Sequence, residues 1–185
     1  MIPIKTACIY CGAAQGYNPA FAAAADDLGR MLAARDIEIV CGGGTHGLMG
    51  RVTRAALESG GRVTGIIPDF LGHFAEVNCS RLISVVSMHS RKQMMFDLSD
   101  AFIALPGGIG TVEEVTEQMK WIQLGRHAKP IFLLNIEGFW TPLISMLRGM
   151  QQTGFLDDAL ESLFVICDDM AELRLALDLN LRGQP

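Results

Sequence analysis

The chain has 185 residues, 50% of them apolar and 19% charged, and carries a net charge of −5. That length suits a single domain over 1–185, burying on the order of 70% of its unfolded surface without needing disulfides or a metal. The acidic balance argues against a nucleic-acid backbone as partner, no apolar run approaches the roughly 18 residues of a membrane span, and Met1–Lys5 does not open a signal peptide.

Ile4–Tyr10 predicts a first strand, closed by Gly12. A helix is expected over 19–34, then a strand at Ile37–Cys41 running into Gly42-Gly43-Gly44. A helix over 47–60 leads to a strand at Val63–Ile67. Pro68–Cys79, which carries Glu76, is too polar and broken for a helix. Loops of that length in compact domains are commonly functional. Then follow a strand at Leu82–Val86, a helix over 88–99, a strand at Ala101–Leu105 and a helix over 111–125. A strand at Ile131–Leu134, a helix over 139–152, a strand at Leu163–Ile166 and a helix over 169–181 complete the series. The strand runs are apolar on both alternations, as in strands buried on both faces. The helical runs repeat apolar residues at helical spacing, as in Val112, Val115, Met119 and Ile122. Strands alternating with helices imply an α/β fold: a Rossmann-like, doubly wound, mostly parallel sheet of about seven strands with right-handed crossovers.

In that fold the carboxyl ends of the strands form one edge, where ligands bind. Gly12, Gly42–Gly44, Ser87 and Pro106-Gly107-Gly108-Ile109-Gly110 all follow strands and therefore lie along it. Tight turns alone seldom need three consecutive glycines, whereas a ligand lying on the backbone does. After the fifth strand, bare glycine amides and the positive end of a helix dipole converge, which makes an anion site best suited to phosphate. Read locally, Thr111-Val112-Glu113-Glu114 spells a capping box, with Thr111 as the cap and Glu114 reaching back to it. A carboxylate beside an anion site is nevertheless a conflict that implies a task for the acid. Arg91 and Lys92, in the first turn of their helix, sit at the wrong end of the dipole for cations unless they meet an anion. Arg91 and Glu114 begin neighbouring helices, so they are expected to share one cleft, with Met88 at its rim.

The remaining signals read as structural. Cys8 and Cys11 form C-x-x-C inside a strand rather than at a helix start, so redox chemistry is not expected. Five cysteines scattered through apolar segments suggest reduced thiols and a cytoplasmic protein. The four histidines lack metal-ligand spacing, so no metal or cofactor is expected. The methionines read as core filler, and Trp121 as a packing residue.

Pro106-Gly107-Gly108-Ile109-Gly110-Thr111-Val112-Glu113-Glu114 resembles the P-G-G-x-G-T-x-x-E motif of the LONELY GUY (LOG) family, cytokinin riboside 5′-monophosphate phosphoribohydrolases sometimes labelled lysine decarboxylases. Met88-His89-Ser90-Arg91-Lys92 is similar to the family's M-H-x-R-K, and Gly42–Gly50 to its second glycine motif. The match continues through 124–130 and 135–139. The resemblance implies hydrolysis of the N-glycosidic bond of a nucleoside 5′-monophosphate, AMP or an N6-substituted AMP, to free base and ribose 5-phosphate. It implies Arg91 and Glu114 as the catalytic pair and Gly108, Gly110 and Thr111 as the phosphate holders, with Gly107, Ile109 and Val112 in the substrate-binding set. Glu76, Met88, Lys92, Glu113, Gly12, Gly43 and Gly44 belong to the same implied substrate-binding set, and a homodimer is implied. Two departures bear on the base: Ala13-Ala14 stands where serines are usual, and Lys120 where a small hydroxyl residue is usual. A non-catalytic nucleotide carrier or sensor is the alternative. A nicotinamide oxidoreductase is disfavoured, because the G-x-G-x-x-G of Gly42, Gly44 and Gly47 follows the second strand and no substrate domain remains.

Overall fold

The computed structural model describes residues 4–74, 79–156 and 163–179. A seven-stranded parallel sheet runs through them in the order β4-β3-β2-β1-β5-β6-β7, with β1 Thr6–Tyr10, β2 Glu38–Cys41, β3 Val63–Pro68, β4 Arg81–Val85, β5 Ala101–Ala104, β6 Ile131–Leu134 and β7 Val165–Cys167. Six α-helices alternate with it: α1 Pro19–Ala34, α2 Gly47–Glu58, α3 Met88–Leu98, α4 Ile109–Gln123, α5 Thr141–Gln152 and α6 Met170–Asp178. The expected α/β doubly wound fold is therefore the observed one.

Side chains alternate across each strand, so β1 sends Ala7 and Ile9 to one core and Cys8 and Tyr10 to the other. The first core packs Leu28 and Leu32 of α1, Val52 of α2 and Leu173 of α6 against Ile39 and Ile103. The second packs Met95 of α3, Val115 and Met119 of α4, and Ile144 and Leu147 of α5 against Phe102, Ile66 and Leu133. Met31, Met49, Met95 and Met119 are buried, as core filler should be. Trp121 packs edge-on against Phe96, with the Arg126 guanidinium 4.2 Å above its ring.

The helix starts follow their caps. The Asn18 side chain accepts from Ala20 N ahead of α1, where Pro19 fits the first turn. Ser87 and Ser90 form a reciprocal capping box at α3. Asp169 accepts from the amides of Ala171 and Glu172 at α6.

Three expectations need correction. Helix α4 begins at Ile109 with Gly108 as its cap residue, two positions before the expected 111, and no side chain caps it. Glycine propensity hid that first turn. The segment after β3 contains a 3-10 helix at Asp69–Phe74 where a loop was expected, and Glu76 lies outside the described residues. Finally, β4 is an edge strand with Arg81, Leu82 and Ser84 exposed, not a strand buried on both faces.

Candidate active site

Strand order places the switch point between β1 and β5, whose following helices leave the sheet on opposite faces. The carboxyl-edge loops converge there, which is where such folds bind ligands. The loop after β1 is knit to its neighbours by backbone bonds: Gly12 N donates to Pro106 O at 3.0 Å, and Leu48 N donates to Gly12 O at 3.0 Å. Close approach explains two of the glycines. A Cβ on Gly107 would lie 2.1 Å from Thr111 Oγ1 and 2.9 Å from Gly12 N. Gly47, at φ +63°, lies against the Ala13 carbonyl, where a Cβ would come within 2.3 Å.

With Gly108 as cap residue, Ile109, Gly110 and Thr111 occupy the first three helical positions of α4, and the first backbone bond back to Gly108 O comes from Val112 N at 3.1 Å. First-turn amides have no partner within a helix and point outward along its axis. Gly108, Ile109 and Gly110 are exposed, and Cβ atoms on Gly108 or Gly110 would meet nothing within 4 Å. Three outward amides at the positive end of a 15-residue helix, with no side chain in front of them, make an anion cradle. Thr111 itself is buried beneath Gly107 and is not the cap residue.

Glu114 does not reach back toward Thr111. Its Oε1 accepts from Arg91 Nη1 at 3.1 Å, and the two side chains are only 13% and 14% exposed. Arg91 Nε donates to Ile66 O of β3 at 3.2 Å, which fixes the guanidinium plane. Burial raises the Glu114 carboxyl above its ordinary pKa, and the Arg91 charge and hydrogen bond only partly oppose the rise. The next residue of α3, Lys92, donates through Nζ to Glu113 at 2.6 Å and to Glu117 at 2.9 Å. Burial opposes the Lys92 charge, but its two carboxylate partners outweigh that and raise its pKa. The pairings resolve the conflict seen in the sequence: each acid near the cradle has a cationic partner, Arg91 for Glu114 and Lys92 for Glu113.

A cavity of about 410 Å³ opens beside the Arg91–Glu114 pair, lined also by Gly42, Gly44, Thr45, His46 and Met49. Its lining is mostly apolar around a few convergent polar groups, as in small-molecule sites. Across Ala13, a second hollow of about 320 Å³ takes in Gly12, Gly107, Gly108, Phe21, Leu48 and Phe139.

Among the expected residues, the structure brings Arg91, Glu114 and Gly44 to the cavity and the segment 107–111 to the cradle. Val112 is half-buried in the first turns of α4. Gly43, at φ +70°, packs against Gly65 and Leu82 instead. Lys92 and Glu113 pair with each other outside the cavity lining, and Met88 is exposed at the start of α3. Arg91 and Glu114 touch, so a sugar would lie against the pair and not between its members. Sequence reasoning left Gly42 unassigned, although a Cβ there would fall 1.9 Å from Arg91 Nη2. The only sequence signal was the glycine run itself. We expect Gly42→Ala to fold normally, because the flexible end of Arg91 can move aside. That displaced guanidinium should lower turnover by about 10²-fold, the usual consequence of an ångström of misplacement. Matched thermal melts and turnover assays test this; unchanged turnover would show that Arg91 needs no exact seat.

Fold, cradle and buried ion pair together define a protein of the α/β class whose sheet carries, at its carboxyl edge, the features of a small-anion site. Comparison with known proteins narrows the class. A family model described as "Possible lysine decarboxylase" matches residues 49–177. A cytokinin riboside 5′-monophosphate phosphoribohydrolase of Arabidopsis thaliana is 41% identical over 168 residues, covering 90% of this chain and 78% of the relative. One of Rhodococcoides fascians is 40% identical over 169 residues, covering 90% and 85%. The chain belongs to the LONELY GUY family. In structure it is similar to a molybdenum-cofactor carrier protein of Chlamydomonas reinhardtii, with a TM-score of 0.72 at 21% identity over 98% of this chain and all of that one, a likeness of fold alone.

Proposed function

We propose that this protein is a phosphoribohydrolase that cleaves the N-glycosidic bond of a nucleoside 5′-monophosphate, AMP or an N6-substituted AMP, to free base and ribose 5-phosphate. The observation that carries the reading is the buried Arg91–Glu114 pair beside an open cradle of helix amides. Relatives at about 40% identity that bear this activity in their names support it.

The geometry suits the chemistry. Breaking the bond between sugar and base develops positive charge on the ribose, as in other glycosyl hydrolyses. The Glu114 carboxylate stabilises that charge and orients the attacking water. Arg91, itself bonded to the Ile66 carbonyl, holds Glu114 in place and favours its ionised form, partly offsetting its burial. The phosphate, seated on the amides of Ile109, Gly110 and Thr111, fixes the sugar at a distance from the reacting bond, so remote binding energy serves the chemical step. Val112, Lys92, Glu113, Gly12, Gly43, Glu76 and Met88 complete the proposed substrate-binding set.

A homodimer belongs to the same proposal. Helix α3 buries only Met95 among its described residues, although it carries Met88, Met94, Phe96 and Leu98 as well. Val86 and Ile109 are 82% and 87% exposed at the starts of α3 and α4, and a second copy of this face would cover them. No described helix is long and apolar enough to cross a membrane. Burial of Cys8, Cys11, Cys41 and Cys167 suits a reducing, cytoplasmic setting.

Incubation with a panel of nucleoside 5′-monophosphates tests the activity. Adenine and ribose 5-phosphate are expected from AMP in equal amounts. Tight binding of AMP with no release of base would instead identify a carrier or sensor.

A further inference from the structure

The cavity that Arg91 and Glu114 line is also lined by Thr45 and His46, joined by a 2.7 Å contact between Thr45 Oγ1 and His46 Nδ1. His46 stands at the cap position of α2 with extended backbone (φ −110°, ψ 167°), yet its side chain makes no cap hydrogen bond. The imidazole is therefore not consumed by helix geometry. It is exposed, anchored through one nitrogen, and has Nε2 left for a ligand. The other titratable lining groups cannot donate a proton to a leaving group. Arg91 is committed to Glu114 and the Ile66 carbonyl, Glu114 is needed ionised, and burial pushes the Cys11 thiol well above its ordinary range.

We propose that His46 is the acid that protonates the departing base, with Thr45 as its positioning residue; this rests on the phosphoribohydrolase reading above. As imidazolium, His46 donates Nδ1–H to Thr45 Oγ1 and presents Nε2–H to a ring nitrogen of the base. The C1′–N9 bond breaks with its electron pair passing to the base, which takes the Nε2 proton and leaves neutral. Water adds to C1′ and gives its proton to the Glu114 carboxylate. Solvent then returns one proton from Glu114 to His46, and the net reaction is hydrolysis. The assignment divides the two jobs of a glycosidase between two side chains that line one cavity, with Glu114 serving the sugar and His46 the base.

The test compares His46→Gln with the unaltered protein on AMP and on 4-nitrophenyl β-D-ribofuranoside 5-phosphate, whose phenolate leaves without protonation. Because His46 is exposed, the variant should melt at the unaltered temperature. Turnover of AMP is expected to fall by about 10²–10⁴-fold, while that of the nitrophenyl riboside stays within about threefold. Thr45→Val should lose activity in the same selective way but less of it. Equal losses on both substrates, or undiminished turnover of AMP, would overturn the assignment. Absence of base release from AMP by the unaltered protein would overturn the underlying reading instead, a result distinguishable from either.

Discussion

Glu114→Gln is expected to abolish base release from AMP, by about 10³-fold or more, while the protein still folds and binds the nucleotide. The amide keeps the shape and can still accept from Arg91 Nη1 but carries no charge to offset that of the developing sugar cation. A cap residue would behave in the opposite way, with stability lost and turnover kept, so one pair of measurements separates the roles. The pH dependence has a definite sign. Burial raises the Glu114 carboxyl above its ordinary value, and Arg91 only moderates this. Turnover needs the ionised form, so kcat should fall on the acid side through a group titrating above the ordinary carboxylate range. Stability runs the other way. A carboxyl whose pKa is higher folded than unfolded binds more protons in the native state, so its contribution is present at low pH and lost as pH rises through the folded value. The melting temperature of the unaltered protein should therefore gain on that of the Gln variant as pH is lowered through that window. A constant difference would mean that Glu114 titrates as an ordinary surface acid.

Removal of the substrate's phosphate should be nearly as severe. Adenosine offers nothing to the amides of Ile109, Gly110 and Thr111, which then face only water. Each charge-assisted hydrogen bond contributes about 1.5–3 kcal/mol, so losing two or three amounts to at least about 10²-fold in kcat/KM. Since the phosphate's binding energy positions the sugar, part of the loss should fall on kcat and not on KM alone. Comparable kcat/KM for AMP and adenosine would show that the cradle at α4 takes no part in the reaction.

Much of this was legible in the sequence, for reasons that differ from residue to residue. Strand–helix alternation placed the loops after β1, β2, β4 and β5 on one edge, and with them the encounter of Arg91 with Glu114, because topology alone makes their helices neighbours. What local pattern suggested was less secure. The T-x-x-E of Thr111–Glu114 spells a cap, but the helix had already begun at Ile109, and a cation 23 residues away in sequence claimed the carboxylate. Lys92 stood out in the sequence from its place at the wrong end of a helix dipole, but its pairing with the counter-charges Glu113 and Glu117 did not. Such pairings depend on the distance between α3 and α4, which no single-chain pattern encodes. Gly42 and His46 were hidden for a related reason. A glycine run announces bare backbone without saying which Cβ is forbidden, and only the guanidinium of Arg91 singles out Gly42. An isolated histidine has no spacing to interpret until the cavity around it is known.

A crystal structure of the Glu114→Gln protein soaked with AMP tests most directly where the nucleotide sits. The expected result is phosphoryl oxygens within hydrogen-bond reach of the Ile109, Gly110 and Thr111 amides, with C1′ of the ribose against the side chains of residues 91 and 114. A nucleotide bound away from the start of α4, or with its glycosidic bond turned from residue 114, would contradict it.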